Sequence, residues 1–314
     1  MRMLIVVLLI VLAGCARAPD TTLKPWPPQV AYAPLRHPFK GADLHRDTDS
    51  AAMRYRLANG AAWLAPITGR PQARWINGPA DLEPLRAVAA QARLQRTLPV
   101  LVAYYLPHRG CAKDQGARGE AAYQRYIGRL IRLLGATHAA IIMEPDAVAA
   151  DCFTRERGTL IAASVRRLAE AGHHVYIDAG HSAWRTTGET AERLLASGIQ
   201  HAEGFAVNVS NRQTTDDSYR WGRELSSLVG GREFVIDTSR NGLGPPPENE
   251  WCNPRRQALG QEPTTEVVAP GLAALLWIKR PGESDGICGG EDTYLFSPRQ
   301  ARLLIDNAES SGVR

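Results

Sequence analysis

Residues 139–146, AAIIMEPD, decide the fold. The first five are apolar and free of turn signals, the pattern of a strand buried on both faces. The last three set Glu144 and Asp146 on either side of Pro145, which cannot continue a central strand. Both carboxylates therefore emerge where the strand stops. In parallel α/β architectures that carboxyl end is where loops converge on one mouth and where chemistry is placed.

Outward from this stretch, strand-like apolar runs recur at residues 61–65, 98–106, 139–143, 174–178, 204–207, 234–237 and 272–278. Helical patterns lie between them at 79–93, 121–134, 158–171, 190–196 and 216–228. Seven strands alternating with helices predict an α/β fold with a parallel sheet, and closure into a TIM-like β/α barrel suits a single domain of this length. Polar residues follow one strand after another: Tyr104; Glu144 and Asp146; Asp178 and His181; Asn208 and Asn211; Asp237 and Arg240; Lys279, Glu283 and Asp285. One charged strand end is ordinary capping. Six in succession, gathered by a barrel onto one face, predict a polar site.

The chain has 314 residues, 44% of them hydrophobic, and a net charge of +5. Arginine carries that charge, since Lys24, Lys40, Lys113 and Lys279 are the only lysines. Acids are interleaved with the arginines, which argues against a nucleic-acid surface. The N-terminus has Arg2, the apolar run 4–12, and then Ala13-Gly14-Cys15. That run is too short for a membrane span and has the form of an export signal. A cysteine directly after Leu-Ala-Gly resembles a bacterial lipoprotein signal, with Cys15 as the lipidated residue; an ordinary cleaved signal is the alternative. The expected order is a signal peptide at 1–14, a proline-rich spacer at 15–48 and a barrel at 49–314. The expected location is an outer membrane or cell surface, and the expected state is a monomer.

With Cys15 assigned to lipid, Cys111, Cys152, Cys252 and Cys288 remain, an even number that suggests two disulfides in an exported protein. Three pairings are open, and local order favours Cys111 with Cys152 and Cys252 with Cys288. No Cys-x-x-Cys or His-x-x-x-His spacing supports a metal. Phosphate loops and dinucleotide fingerprints are absent, so no cofactor is implied. The segment 180–184, GHSAW, fails as a nucleophile elbow because Trp184 stands where the second glycine is needed. What remains is a carboxylate-rich face with Trp63, Tyr104, Trp184, Trp251 and Trp277 in the neighbouring segments. Carboxylates supply acid and base, and aromatic faces cover the apolar faces of pyranose rings, which together suggest a glycosidase.

Seven blocks resemble, in order, those of glycoside hydrolase family 6, the inverting cellulases: LPVLVAYYLPHRGC at 98–111, IIMEPD at 141–146, YIDAGHSAW at 176–184, GFAVNVSN at 204–211, VIDTSRNGLGP at 235–245, EWCNP at 250–254 and WIKRPGESDG at 277–286. The resemblance covers most of residues 60–305 and implies a distorted seven-stranded β/α barrel with a substrate cleft across its strand ends. It makes Asp146 the general acid and Asp285 the base or its electrostatic support, with water activated through a relay as a further route. Glu144 is assigned to the turn. Tyr104 would distort the sugar at the cleavage point, with Asp178 nearby. The resemblance implies sugar contacts for His181, Asn208, Asn211, Trp251, Lys279 and Glu283, with Trp63 and Trp184 as stacking platforms. It also agrees with the local cysteine pairing.

One departure stands out. The family's Arg-Asp-Cys triplet is Arg109-Gly110-Cys111 here, so the aspartate that assists the acid is missing. Asp114, on the same loop, is the candidate substitute. The implied activity is hydrolysis of internal β-1,4-glucosidic bonds, because the segments that would roof the cleft are short. The competing readings are a carbohydrate-binding lipoprotein with lost or weak catalysis, and an envelope lipoprotein with no sugar site.

Overall fold

The computed structural model describes residues 31–247, 250–292 and 295–312; the signal segment 1–14 and Cys15 lie outside them. Seven strands form one parallel sheet in sequential order: β1 (Arg74–Ile76), β2 (Val100–Ala103), β3 (Ala140–Met143), β4 (His174–Asp178), β5 (Gly204–Val207), β6 (Glu233–Asp237) and β7 (Leu272–Leu276). The sheet curls into an open barrel. Among the described residues no ladder joins β7 to β1. That seam is bridged instead by Ala73 N–H to the Trp277 carbonyl (2.9 Å) and by the Trp75 indole N–H to the Ile278 carbonyl (2.7 Å). Sheet edges need such cover, because their unpaired backbone groups otherwise invite other chains.

β2, β3 and β5 are apolar on both faces because both faces are covered. In β3, Ala140 and Ile142 point into the barrel with Val100, Val102, Tyr176, Ala206 and Val235. Ile141 and Met143 point outward into the layer shared with the helices. The outer ring comprises α1 (Ala51–Asn59), α2 (Ala65–Thr68), α3 (Leu85–Gln95), α4 (Glu120–Leu134), α5 (Arg155–Glu170), α6 (Thr187–Ala196), α7 (Thr215–Leu228) and α8 (Pro298–Ser311). Thr154, Thr186, Thr214 and Ser297 cap α5, α6, α7 and α8, each hydroxyl accepting the backbone N–H three residues on. Such caps contribute about 1 kcal/mol each.

Three expectations are corrected. Residues 61–65 are not the first strand: Ala62–Leu64 is a 3-10 turn running into α2. Pro66, in the first turn of α2, has no N–H to give a ladder, and Leu64 and Ile67, three apart, are buried on one face. The true first strand, Arg-Trp-Ile, is too short to show a period. Residues 79–93 do not form one helix, because Pro84 ends the 3-10 turn Pro79–Leu82 and caps α3. The expected spacer is also too long. Residues from Tyr32 onward belong to the barrel unit and pass beneath the strands' amino ends. Arg36 pairs with Glu203, His37 with Glu233 at 2.8 Å, Phe39 is buried against Tyr176, and Leu44 bridges to Leu98. This strap is held by isolated contacts along one extended pass, so no periodicity announces it.

Candidate active site

The carboxyl ends of β2 through β7 surround a cleft of about 560 Å³. Tyr104, Asp146, His181, Trp184, Asn211, Trp251, Lys279 and Asp285 line it, as do Trp75, Arg212 and Arg240.

On the β3–β4 side the chain turns sharply. Glu144 and Asp146 both hold left-handed backbone, at φ 47° and 69°. Such a conformation is costly outside glycine and persists only where surroundings hold it. Glu144 is fully buried and accepts N–H bonds from Tyr105 (3.0 Å) and Leu106 (2.9 Å), which fastens the end of β3 to the loop after β2. Burial pushes its carboxyl up to about 7, against those N–H bonds. The Asp146 N–H in turn donates to Asp178 at 2.7 Å, and Asp178 is itself buried. These two anchors leave the Asp146 carboxyl facing the cleft. Desolvation raises it to about 6, with Lys279 opposing. Asp178 is raised well above the carboxylate range, first by burial and then by Asp146. Burial thus keeps these neighbouring carboxyls protonated toward the near-neutral range, and the charge of Asp146 adds to that at Asp178.

The β6–β7 side is built the opposite way. Asp285 meets Arg212 at 2.9 Å, Arg240 at 2.8 Å and Lys279 at 3.8 Å, and accepts the Asn253 N–H at 3.1 Å. Burial alone would raise this carboxyl; the three cations outweigh it and hold Asp285 well below the usual carboxylate range. Beneath it, Asp237 accepts N–H bonds from Ser210, Ser239, Ile278 and Lys279 and so ties β5, β6 and β7 together.

Aromatic rings complete the walls. Tyr104 meets Trp75 edge-on at 5.3 Å, and the Arg109 guanidinium covers its ring at 4.4 Å. Trp184 lies 5.5 Å from His181, whose ring burial lowers to about 4, so the imidazole is neutral. Trp251 is 68% exposed, a ring free to meet a sugar face.

Several expected residues sit elsewhere. Trp63 does not line the cleft: it packs in the cluster under α8, with the Arg302 guanidinium 3.8 Å above its ring. Trp75 of β1 stands in the cleft instead, and the misplaced first strand explains the exchange. Asn208 is buried, its amide donating to the carbonyls of Gln213 and Asp237. Glu283 pairs with Arg280 at 3.2 Å outside the cleft lining and acts there only through its charge on Lys279. Asp114 is exposed and does not line the cleft. Gly110 is exposed at φ 60°, on the turn that Cys111 ties to Cys152. Cys252 is joined to Cys288. Arg212 gave no signal in the sequence, because an arginine after a strand-end asparagine reads as a solvated loop residue. Among the described residues no cluster of His, Cys, Asp and Glu could hold a metal.

The fold and the cleft together define a class, the open β/α barrels that carry the carboxylates of a glycoside hydrolase across their strand ends. The chain belongs to glycosyl hydrolases family 6, whose model matches residues 39–303. Endoglucanase A of Cellulomonas fimi is 40% identical over 73% of the chain, and the chain spans about half the length of that relative (52%). Endoglucanase 1 of Streptomyces halstedii is 35% identical over 83% of the chain and 88% of its own length. Among solved structures, the endoglucanase Cel6 of Mycobacterium tuberculosis, in complex with a methyl-cellobiosyl-thio-cellobioside, superposes with a TM-score of 0.81 at 38% identity. It covers 87% of this chain and 99% of that one.

Proposed function

We propose that the chain hydrolyses internal β-1,4-glucosidic bonds of cellulose or a related β-glucan with inversion at the anomeric carbon. The observation that carries this reading is the contrast between a half-buried, cleft-facing Asp146 raised to about 6 and an Asp285 held ionised across the same cleft. Asp146 protonates the departing glycosidic oxygen. A carboxyl that keeps its proton near neutral pH is matched to that task. Asp285 is a poor proton acceptor while three cations hold it. Its role is to supply fixed negative charge near the positive charge that develops on the sugar ring, and the attacking water loses its proton through a relay. Tyr104 and Trp75 crowd the sugar at the cleavage point, and Trp184 and Trp251 stack on its neighbours. The matched relatives named as endoglucanases and the short rim segments support attack within the chain rather than at its ends.

The test is reducing-sugar release from a soluble β-1,4-glucan, with the product anomer followed by NMR. The α-anomer is expected first, and Asp146→Ala is expected to abolish release. Glucan binding without any release would overturn this reading in favour of a carbohydrate-binding protein, the alternative that Gly110 supports.

The same proposal places the chain outside the cytoplasm, held at a membrane through lipid on Cys15. The apolar run and the Leu-Ala-Gly-Cys order support it. Fatty-acid labelling of the expressed chain, lost on Cys15→Ala, is the expected result.

A further inference from the structure

Arg212 is among the largest almost wholly buried side chains of the described residues, at 2% exposure. A guanidinium in such a place needs partners for its donors, because an unpaired buried charge is costly. Arg212 finds them in two separate segments. Its Nη2 donates to Asp285 Oδ2 at 2.9 Å, on the loop after β7. Its Nη1 donates to the Trp251 carbonyl at 2.9 Å. Its Nε and Nη2 both reach Gln257 Oε1, at 3.2 and 3.1 Å. The residue itself belongs to the turn after β5, so one planar fork joins that turn to the segment bearing the exposed Trp251 ring and to Asp285.

We propose that Arg212 is a positioning residue for the cleft, fixing the Asp285 carboxylate and the Trp251 segment in register with each other. A sugar stacked on Trp251 then lies at a set distance from Asp285, and from the acid across the cleft. The fork geometry is what the arrangement needs. A lysine ammonium in the same place would keep the charge near Asp285 but could not serve the Trp251 carbonyl, Gln257 and Asp285 together. The neighbouring charges are Arg240 and Lys279 around Asp285, Glu250 beside Arg212, and Glu283 beside Lys279. Asn253 adds a second, neutral link between the same two segments, exchanging bonds with Asp285 at 3.1 and 2.8 Å. That link leaves the segments joined when Arg212 is replaced, so its removal loosens register without releasing the loop.

The kinetic part of the test rests on the hydrolytic reading above; the binding part does not. Arg212→Gln and Arg212→Lys are compared with the parent chain on a soluble β-1,4-glucan between pH 4 and 8. Affinity for cellotetraose is followed in parallel by tryptophan fluorescence. Arg212→Gln is expected to lower kcat about tenfold, to raise KM about threefold and to move the acid-side limb of the profile to higher pH. Arg212→Lys is expected to return the acid-side limb to the parent position while KM stays raised. Parent-like kcat, KM and pH profile in both variants overturn the proposal. Should Arg212→Gln lack a cooperative melt, Arg212→Lys decides alone, and a KM within about twofold of the parent overturns it. An inactive parent chain refutes the hydrolytic reading only. In that case cellotetraose binding about threefold weaker in both variants upholds the role of Arg212, and unchanged binding refutes it.

Discussion

The two sides of the cleft bury carboxylates to a similar depth and obtain opposite results. On the β3–β4 side Asp146 and Asp178 sit next to each other with no cation in contact, and both carboxyls are raised. On the β6–β7 side Asp285 sits among Arg212, Arg240 and Lys279, and its carboxyl is lowered. Desolvation acts in the same direction in both places. Only the neighbours differ, so neighbouring charge rather than burial divides the acid from the fixed anion. A barrel suits this division, because consecutive strand ends can carry unlike environments a short distance apart.

The largest effect is expected on the cationic side. Asp285→Asn leaves Arg212, Arg240 and Lys279 facing one another without their shared anion. Removing one partner from a buried charge cluster costs about 3–5 kcal/mol, which lowers the melting temperature by on the order of 10 °C for a domain of this size. The sign with pH follows from the lowered carboxyl. Asp285 contributes stability above the ordinary carboxylate range and loses it as pH falls through its own lower value. The gap between parent and variant should therefore be full at pH 7 and shrink towards strongly acid pH. Calorimetry at both pH values checks this, and a gap that widens on acidification would refute the clamp. Turnover should fall about 100-fold at pH 6.

A smaller effect is expected on the acid side. Asp178→Asn keeps an oxygen to accept the Asp146 N–H but removes the second carboxyl, so Asp146 should ionise at lower pH. Less of the acid is then protonated at neutral pH. The basic limb of log kcat/KM should move down by about one unit, with kcat at pH 7 falling about tenfold. An unmoved limb would show that burial alone sets Asp146, and the contrast between the two sides would then rest on the cations only.

How far the sequence carried these conclusions varied by element. Six of the seven strands were legible because each is a buried apolar run bounded by polar residues, and the residues after β2, β3, β4, β5 and β7 were legible as a site for the same reason. β1 was hidden because three residues, one of them Arg74, carry no period. Its loss put Trp63, a residue that Arg302 covers, where Trp75 lines the cleft. Asn208 was named for its position after β5, and burial turns it into a brace. Arg212 was hidden for the converse reason: a charged residue in a turn looks solvated until long-range packing closes over it. Local pattern thus reported which strand ends are polar. Which polar groups face the cleft and which hold it together depends on contacts between residues far apart in sequence, such as Arg212 with Asp285.

The smallest expected effect concerns Gly110, where the family resemblance implies an aspartate. Gly110 lies at φ 60°, and a Cβ there would meet no atom within 4 Å. Aspartate tolerates that backbone region better than most residues, so Gly110→Asp should cost at most about 1 kcal/mol of stability. A carboxylate on this turn would add negative potential to the side of the cleft that has no cation in contact with its acid, raising Asp146 further and keeping it protonated to higher pH. Arg109, the preceding residue, already lies over Tyr104 and would screen part of the new charge. The expected gain is therefore modest, about two- to fivefold in kcat at pH 7 with the basic limb moved up by a fraction of a unit. Placed in the Asp178→Asn background, the same substitution should restore part of the lost limb, since both act on Asp146 through charge. If Gly110→Asp leaves the profile unmoved in both backgrounds, Asp146 owes its proton to Asp178 and burial alone, and the glycine is no defect in this chain.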